Sequence, residues 1–483
     1  MCRSSRPDDD PGLLRFATRR WLASFVCLAA IACLPGGTPP SGTDVIAIVD
    51  ATIVPMDAER VLPDQTVVVR DGSIAAIGAR DAIDLPATAR RIDGSGLYLA
   101  PGLIDAHVHL RDSSELISYL THGVTTAVHL SGPTGNVSDV LDLRARVLRG
   151  EVVAPTIYSS GRIVDGDPPI FRGVSTIVRT VDEARNLVDA QVAAGVDVIK
   201  VYNNVSTDVL QAVTQRAHTQ GVTVWGHVPR IDGRASALPQ ALAARLDVIA
   251  HGEEVFFTLL YRDVEGQLDR GLVPVVSDDL LAESVRLIRE SGAAVIPNLS
   301  FVAMTRVQLD DIADLWDDPE LRFLHPATVN TWKEQNPTRR TELNRFDRRE
   351  QGKHAVVRRL THLLSEAGVP LLLGTDSSAP GMFPGKSAHI ELTELVKAGL
   401  TPYEALATGT RNAGRFLSEH VRGAGAFGTV EVGSRADLLV LEANPLVDVS
   451  NVGKIAGIIV RGKWFSRAQL DSMRAEASAR FAH

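Results

Sequence analysis

The segment Leu103-Ile-Asp-Ala-His-Val-His-Leu110 decides how the rest of this chain is read. It is a short apolar run that closes on two histidines separated by one residue. Seven more runs of similar length follow: GVTTAVHL (123–130), PTIYSSG (155–161), VDVIKVY (196–202), VTVWGHV (222–228), DVIAHGEE (247–254), AAVIPNLS (293–300) and VPLLLGTD (369–376). Alanine-rich amphipathic stretches such as VDEARNLVDAQVAAG and TDVLQAVTQRAHTQG lie between them. Eight β-runs alternating with helices predict an α/β fold, a (β/α)8 TIM barrel over 101–424. A doubly wound sheet produces similar strings, so the count alone leaves both open. A polar, helix-leaning insertion at about 301–350 follows the seventh run and is either a lid or a packing decoration.

The flanks differ from the middle. Residues 44–100 alternate short β-type runs with turns, and VVVRDGSIAAIG reads as a hairpin around Asp71-Gly72. The same flavour returns at 425–470, in GTVEVGSRADLLVLEANP and IAGIIVRGKWF. One small discontinuous β-sandwich domain built from both chain ends is expected, with 471–483 as a C-terminal tail.

In a barrel the C-terminal strand ends share one mouth, where chemistry takes place. His107 and His109 end the first run, and a spacing of two puts both imidazoles on one face, able to grip one metal ion. Lys200 ends the fourth run, His227 the fifth, His251 the sixth and Asp376 the eighth. Six metal-compatible residues in register are a poor fit to chance. Tyr202 shares the face of Lys200 and is a candidate substrate contact, as is Arg230 in GHVPR for a substrate carboxylate. His129 ends the second run without an evident role, His122 and His389 lie outside the register, and 161–169 reads as a long loop.

Composition sets the outer bounds. Of 483 residues, 45% are hydrophobic and 22% charged, which excludes a disordered chain or a coiled coil. A net charge of -8 without a basic block argues against a nucleic-acid partner. Only seven of the 50 basic residues are lysine, so a lysine inside an apolar strand needs a reason. All three cysteines fall within the first 33 residues, which rules out a disulfide framework in the body. Residues 1–32 read as an export signal: five arginines precede an apolar run, Trp21–Leu34, too short for the ~20 residues of a membrane span. Ala30-Ile-Ala-Cys33 resembles a bacterial lipobox, which would make Cys33 a lipid anchor followed by a flexible tether over 33–43. A periplasmic or cell-surface location is expected, and a homo-oligomer.

Pro101-Gly-Leu-Ile-Asp-Ala-His107-Val-His109, together with His251-Gly252, Gly374-Thr-Asp376, the 400–413 segment and Gly428-Thr-Val-Glu-Val-Gly-Ser-Arg-Ala-Asp-Leu-Leu-Val440, resembles the amidohydrolase superfamily of metal-dependent hydrolases. The resemblance spans about 44–464 and is nearest to the imidazolonepropionase-related and prolidase-like branch. It implies two divalent metal ions, with zinc expected, and a Lys200 carboxylated by carbon dioxide so that its carbamate bridges both. His107, His109, Lys200 and Asp376 would hold one ion, and Lys200, His227 and His251 the other. Asp376 would shuttle the proton to the leaving nitrogen. The implied activity is amide hydrolysis in a small molecule, a dipeptide or N-acyl amino acid. A cyclic amide, lactone or phosphotriester hydrolase is the alternative, and a non-catalytic surface-anchored binding protein a remote one.

Overall fold

The computed structural model describes residues 45–111, 113–131, 137–336 and 342–480. The leader, Cys33 and the tether lie outside the described residues. Among the described residues no helix is long and apolar enough to cross a membrane.

The N-terminal part supplies strands β1 (Ile46–Ile53), β2 (Leu62–Arg70), β3 (Ser73–Ala79), β4 (Arg90–Asp93) and β5 (Tyr98–Pro101). The middle supplies β6 (Leu103–Val108), β7 (Val124–His129), β8 (Thr156–Ser159), β9 (Ile163–Asp165), β10 (Ser175–Ile177), β11 (Val198–Val201), β12 (Thr223–Gly226), β13 (Val248–Ala250) and β14 (Ala294–Ile296). The C-terminal part adds β15 (Leu438–Leu441), β16 (Ile455–Val460) and β17 (Lys463–Ser466).

Both chain ends enter one eight-stranded sheet, ordered β17-β16-β15-β5-β1-β2-β3, with β4 paired to β1. The β2–β3 hairpin turns at Asp71-Gly72, where φ is 50° and 80°. Positive φ at both centres is the geometry that matches strand twist, and an Asp-Gly pair adopts it readily. The Gly72 backbone meets Arg461 and Gly462, the turn between β16 and β17, so the two ends of the sheet approach each other. Ile48, Val67, Ile74, Leu438 and Ile459, drawn from five of its strands, pack in one buried cluster. Arg435 joins this sheet to the middle of the chain: it pairs with Asp437 at 2.6 Å and donates to Thr126 Oγ1 at 2.7 Å.

The middle is parallel throughout. β6, β7 and β8 form one sheet, and β10-β9-β11-β12-β13-β14 another. Seven of the eight expected runs contain these strands. The eighth, 369–376, makes only isolated parallel bridges, Leu371 to Val295 on one side and Ser377 to Val108 on the other. The Ala106 N–H also donates to Leu373 O at 2.8 Å, so this run hydrogen-bonds to β6 while bridging to β14. A further bridge, Ser160 to Val198, links the β8 end to β11. The segment read as a loop over 161–169 contains β9, whose Val164 carbonyl accepts from Tyr202 N at 3.0 Å; the alternation Ile163-Val164 was too short to signal a strand.

Register places the site. Lys200 pairs with Trp225, Gly226 with Ile249 and Ala250 with Ile296, so β11 to β14 end at one level. Val198, Trp225 and Leu372 share a buried cluster with Ile104, Val128, Tyr158, Val248 and Ala294. Side chains alternate along a strand, so Lys200 and His227, each two residues further on, face the same way as Val198 and Trp225, and Asp376 follows Leu372 by four. The region from 299 is helical: Leu299–Asp310, Ile312–Trp316, Pro326–Glu334 and Leu343–Glu366. Leu315, Leu324, Trp332 and Phe383 give it a small core of its own, and Trp332 Nε1 donates to Ser378 O at 3.1 Å.

The tail expectation needs correction. Most of 471–480 belongs to a helix, Arg467–Ala479, opened by a Ser466/Gln469 capping box and anchored by buried Leu470 and Ala477. Its Arg474 pairs with Glu320. The capping pair Ser466-x-x-Gln469 was a legible signal for this start.

Gly226 lies where β12 touches β11 most closely. Its φ is +145°, and an added Cβ would stand 2.1 Å from the Val201 carbonyl oxygen. Gly226→Ala is expected to lower the free energy of unfolding by about 2 kcal/mol or more. Gly173→Ala, where nothing lies within 4 Å, should stay within about 0.5 kcal/mol of wild type. Chemical denaturation compares the two, and equal stabilities would contradict this account of the contact.

Candidate metal centre

The six strand-end residues converge. His109 Nε2 lies 2.8 Å and His107 Nε2 3.4 Å from Asp376 Oδ1, and His251 Nε2 lies 3.7 Å from Asp376 Oδ2. The His107 and His251 rings stack at 4.7 Å, and the His227 ring meets His251 edge-on at 5.1 Å. Candidate ligand atoms of His107, His251 and Asp376 all lie within 4.8 Å of one another. Lys200 is 1% exposed, and its Nζ has no hydrogen-bond partner among the described residues.

Hydrogen-bond partners fix which ring nitrogens are free. The Ser131 carbonyl takes His109 Nδ1. A carbonyl only accepts, so Nδ1 carries the proton and Nε2 the lone pair. That lone pair faces a carboxylate oxygen at 2.8 Å and the His107 Nε2 at 3.3 Å. Each of these short contacts is satisfied by a proton between the two atoms or by a metal ion that both bind. His227 repeats the pattern: Nδ1 lies 2.8 Å from Asn203 Oδ1 and 3.2 Å from Glu254 Oε1, leaving Nε2 to bind. Imidazole and carboxylate donors of this kind suit a divalent transition metal, and the orphaned Lys200 Nζ is placed to complete the set.

Electrostatics agree. Burial holds the His107 and His227 imidazoles well below their ordinary pKa, and the Lys200 charge adds to this. Both rings are therefore neutral, the form that binds metal. Burial brings the Lys200 ammonium down to about 8, with Asp376 and Glu254 opposing. Burial alone would raise Asp376, but His251, His109 and Lys200 outweigh it and leave the carboxyl below its usual range. Beneath the ligands, Asp105 accepts from His107 N at 3.2 Å and Thr375 N at 3.1 Å, tying the first and eighth runs together.

The centre opens into a cavity of about 1250 Å³ whose wall includes Tyr202, Phe171, Phe257, Phe301 and Phe346. Tyr202 thus faces the cavity as the sequence implies, with its ring 3.9 Å from His227. Residues of the 301–350 region, among them Thr305, Gln308, Thr331 and Glu334, also line it. Arg230 does not reach this wall. Its Nη2 donates to buried Glu254 at 2.8 Å and its guanidinium lies over Phe257. His129 is buried and accepts from Leu110 N at 3.0 Å, a structural duty. His122 and His389 pair with each other elsewhere, the latter donating to the His122 carbonyl at 2.7 Å.

Several residues beside the centre went unread in the sequence. Glu253 and Glu254 follow His251-Gly252 directly, and Lys353 joins Glu253 and Glu350 in a buried triad at 2.6 Å each. Lys353 had a signal: it is one of few lysines in an arginine-rich chain.

Comparison with known proteins follows the same line. The model of the amidohydrolase family matches residues 98–465. An imidazolonepropionase from Deinococcus deserti is 26% identical over 412 residues, 80% of this chain and 88% of that enzyme. An ochratoxinase from Aspergillus niger is 24% identical over 465 residues, 84% of this chain and 82% of that enzyme. Among solved structures, one assigned as a prolidase from Bifidobacterium longum superposes with a TM-score of 0.65 at 26% identity, covering 90% of this chain and 99% of its own. With its metal-compatible histidines and aspartate at parallel strand ends, and a family match over most of its length, this chain belongs to the amidohydrolase family.

Proposed function

We propose that the protein is a binuclear metal-dependent amidohydrolase that cleaves an amide bond in a dipeptide or N-acyl amino acid. The observation that carries this reading is the convergence of His107, His109, His251 and Asp376 beside a buried Lys200 whose Nζ has no hydrogen-bond partner among the described residues. His107, His109, Lys200 and Asp376 would hold one ion, and Lys200, His227 and His251 the other, with zinc the expected metal. Bound there, divalent ions supply a water of lowered pKa and a Lewis acid for the scissile carbonyl.

The remaining work belongs to the chain. Buried Lys200, with its ammonium brought down to about 8, offers far more neutral amine near physiological pH than an exposed lysine does. Reaction with carbon dioxide forms an N–C bond, releases one proton and replaces an ammonium that repels cations with two anionic oxygens. Asp376 accepts the proton of the attacking water and delivers it to the leaving nitrogen. Tyr202 and the phenylalanines of the wall enclose the acyl or side-chain group, in a volume of about 1250 Å³. That exceeds the ~300–1,000 Å³ of common ligand sites and leaves room for a bulky acyl partner. The similarity to a prolidase-assigned structure and an ochratoxinase supports this choice. The imidazolonepropionase relative favours a second reading, ring opening of a cyclic amide. A single-ion enzyme of that kind would give Lys200 no work.

The architecture belongs to the same reading. Bridges from 369–377 to both β14 and β6, with one interior cluster fed by eight runs, support a closed (β/α)8 barrel. The shared core and meeting turns of the eight-stranded sheet support a sandwich. The leader supports export, with a lipid anchor at Cys33.

Amine release from a panel of dipeptides and N-acyl amino acids, with zinc and bicarbonate supplied, tests the reaction. Hydrolysis is expected in wild type and absent in Lys200→Ala. Activity on lactones or cyclic amides alone would replace the substrate class while leaving the metal centre standing. Asp376→Asn should lower turnover by at least ~100-fold, the scale of a general acid–base group. A variant within about tenfold of wild type would refute the proton-shuttle role.

A further inference from the structure

The two residues after His251-Gly252 are both glutamates, and each is joined to a different histidine of the centre. Glu254 is 1% exposed. Its Oε1 lies 3.2 Å from His227 Nδ1, which also meets Asn203 Oδ1 at 2.8 Å, and accepts from Arg230 Nη2 at 2.8 Å, while Oε2 accepts from Val228 N at 3.2 Å. Glu253 turns the other way. Its Oε1 lies 3.8 Å from His251 Nδ1, and its Oε2 pairs with Lys353 at 2.6 Å. Lys353 is itself 3% exposed and held from behind by Glu350 at 2.6 Å. The chain has thus built two arms of the same order, cation to carboxylate to imidazole, from adjacent positions.

The physical need is plain. A histidine binds an ion through one nitrogen only if the other holds its proton, and a carboxylate facing that N–H sets both tautomer and ring orientation. A lone buried carboxylate beside an imidazole would be costly, so each glutamate has its own buried cation. At 3.8 Å the His251 contact exceeds a hydrogen bond. Its Nδ1 is buried with no hydrogen-bond partner among the described residues, and Glu253 provides the carboxylate on that side.

We propose that Glu253 and Glu254 are paired positioning residues, Glu254 steadied by Arg230 to align His227, and Glu253 steadied by Lys353 to align His251. The inference rests on the binuclear reading above and deepens it. Arg230 lies off the cavity wall and acts through Glu254, whereas Lys353 acts through Glu253 from a place on that wall. Both arms serve the histidines that the proposed reading assigns to one ion, although His251 also lies 3.7 Å from Asp376 of the other set.

Zinc titration of the metal-free protein in bicarbonate, followed by chelator competition and elemental analysis, tests this without any substrate. Wild type should hold two ions. Glu253→Gln and Glu254→Gln should each weaken one of the two by ~10–100-fold, the usual cost of losing such a partner, and leave the other nearly unchanged. Glu253→Asp and Glu254→Asp keep the buried charge balanced while withdrawing the carboxylate by one methylene. They should show the same selective loss in milder form, which guards against a glutamine variant that does not fold. Lys353→Met should weaken the same ion as Glu253→Gln, and the double variant should be no worse than the single. Two ions of unchanged affinity in the aspartate variants would overturn the positioning role while sparing the metal centre. A wild type that binds no zinc would overturn the centre itself, and this inference with it.

Discussion

Everything at this centre depends on electron pairs brought too close together. The His109 and His107 imidazole nitrogens and the Asp376 carboxylate face one another at 2.8 to 3.4 Å. With its Nδ1 bonded to the Ser131 carbonyl, a neutral His109 turns the lone pair of Nε2 towards the other two. A proton on one of the imidazoles or a bound metal ion relieves that repulsion, and Lys200, buried with no hydrogen-bond partner among the described residues, does neither as it stands. A cluster of imidazoles and a carboxylate at the foot of a cavity suits a divalent metal ion.

The fold is what makes the crowding affordable. Parallel pairing sets β11, β12, β13 and β14 level at one end, so residues far apart in sequence arrive together. The close approach of β12 to β11 at Gly226 brings Lys200 and His227 onto adjacent strands. Asp105 accepts backbone N–H groups of His107 and Thr375, which locks the first and eighth runs at the ligands themselves. Burial raises the Asp105 carboxyl to about 7 in spite of these bonds. Rigidity there is obtained by keeping a carboxyl group where water cannot reach it.

Much of this was legible because the signals were local. Apolar runs, their spacing and the residue that ends each one are properties of a few neighbouring positions, and the six residues they single out all line one cavity. The Asp71-Gly72 turn was equally local. What escaped was long-range. Arg230 looked free because its partner is distant in sequence: Glu254, 24 positions away, takes its guanidinium. Lys353 and Glu253 are 100 positions apart and meet only through folding. The eighth run kept its position but not its strand: Leu371 and Ser377 bridge to its neighbours only singly, and apolar pattern cannot report how many ladder bonds a run will make. The helix at Arg467–Ala479 was lost for a simpler reason, since a chain end invites a reading as tail even where a capping pair is present.

The central claim is that six side chains, with Lys200 carboxylated, form a two-ion centre. Crystals grown with zinc and bicarbonate, measured on both sides of the zinc absorption edge, address it directly. The account predicts two anomalous peaks in each chain, one beside His107, His109 and Asp376 and one beside His227 and His251, with branched density extending Lys200 between them. A single peak with Lys200 ending at a bare Nζ would contradict it.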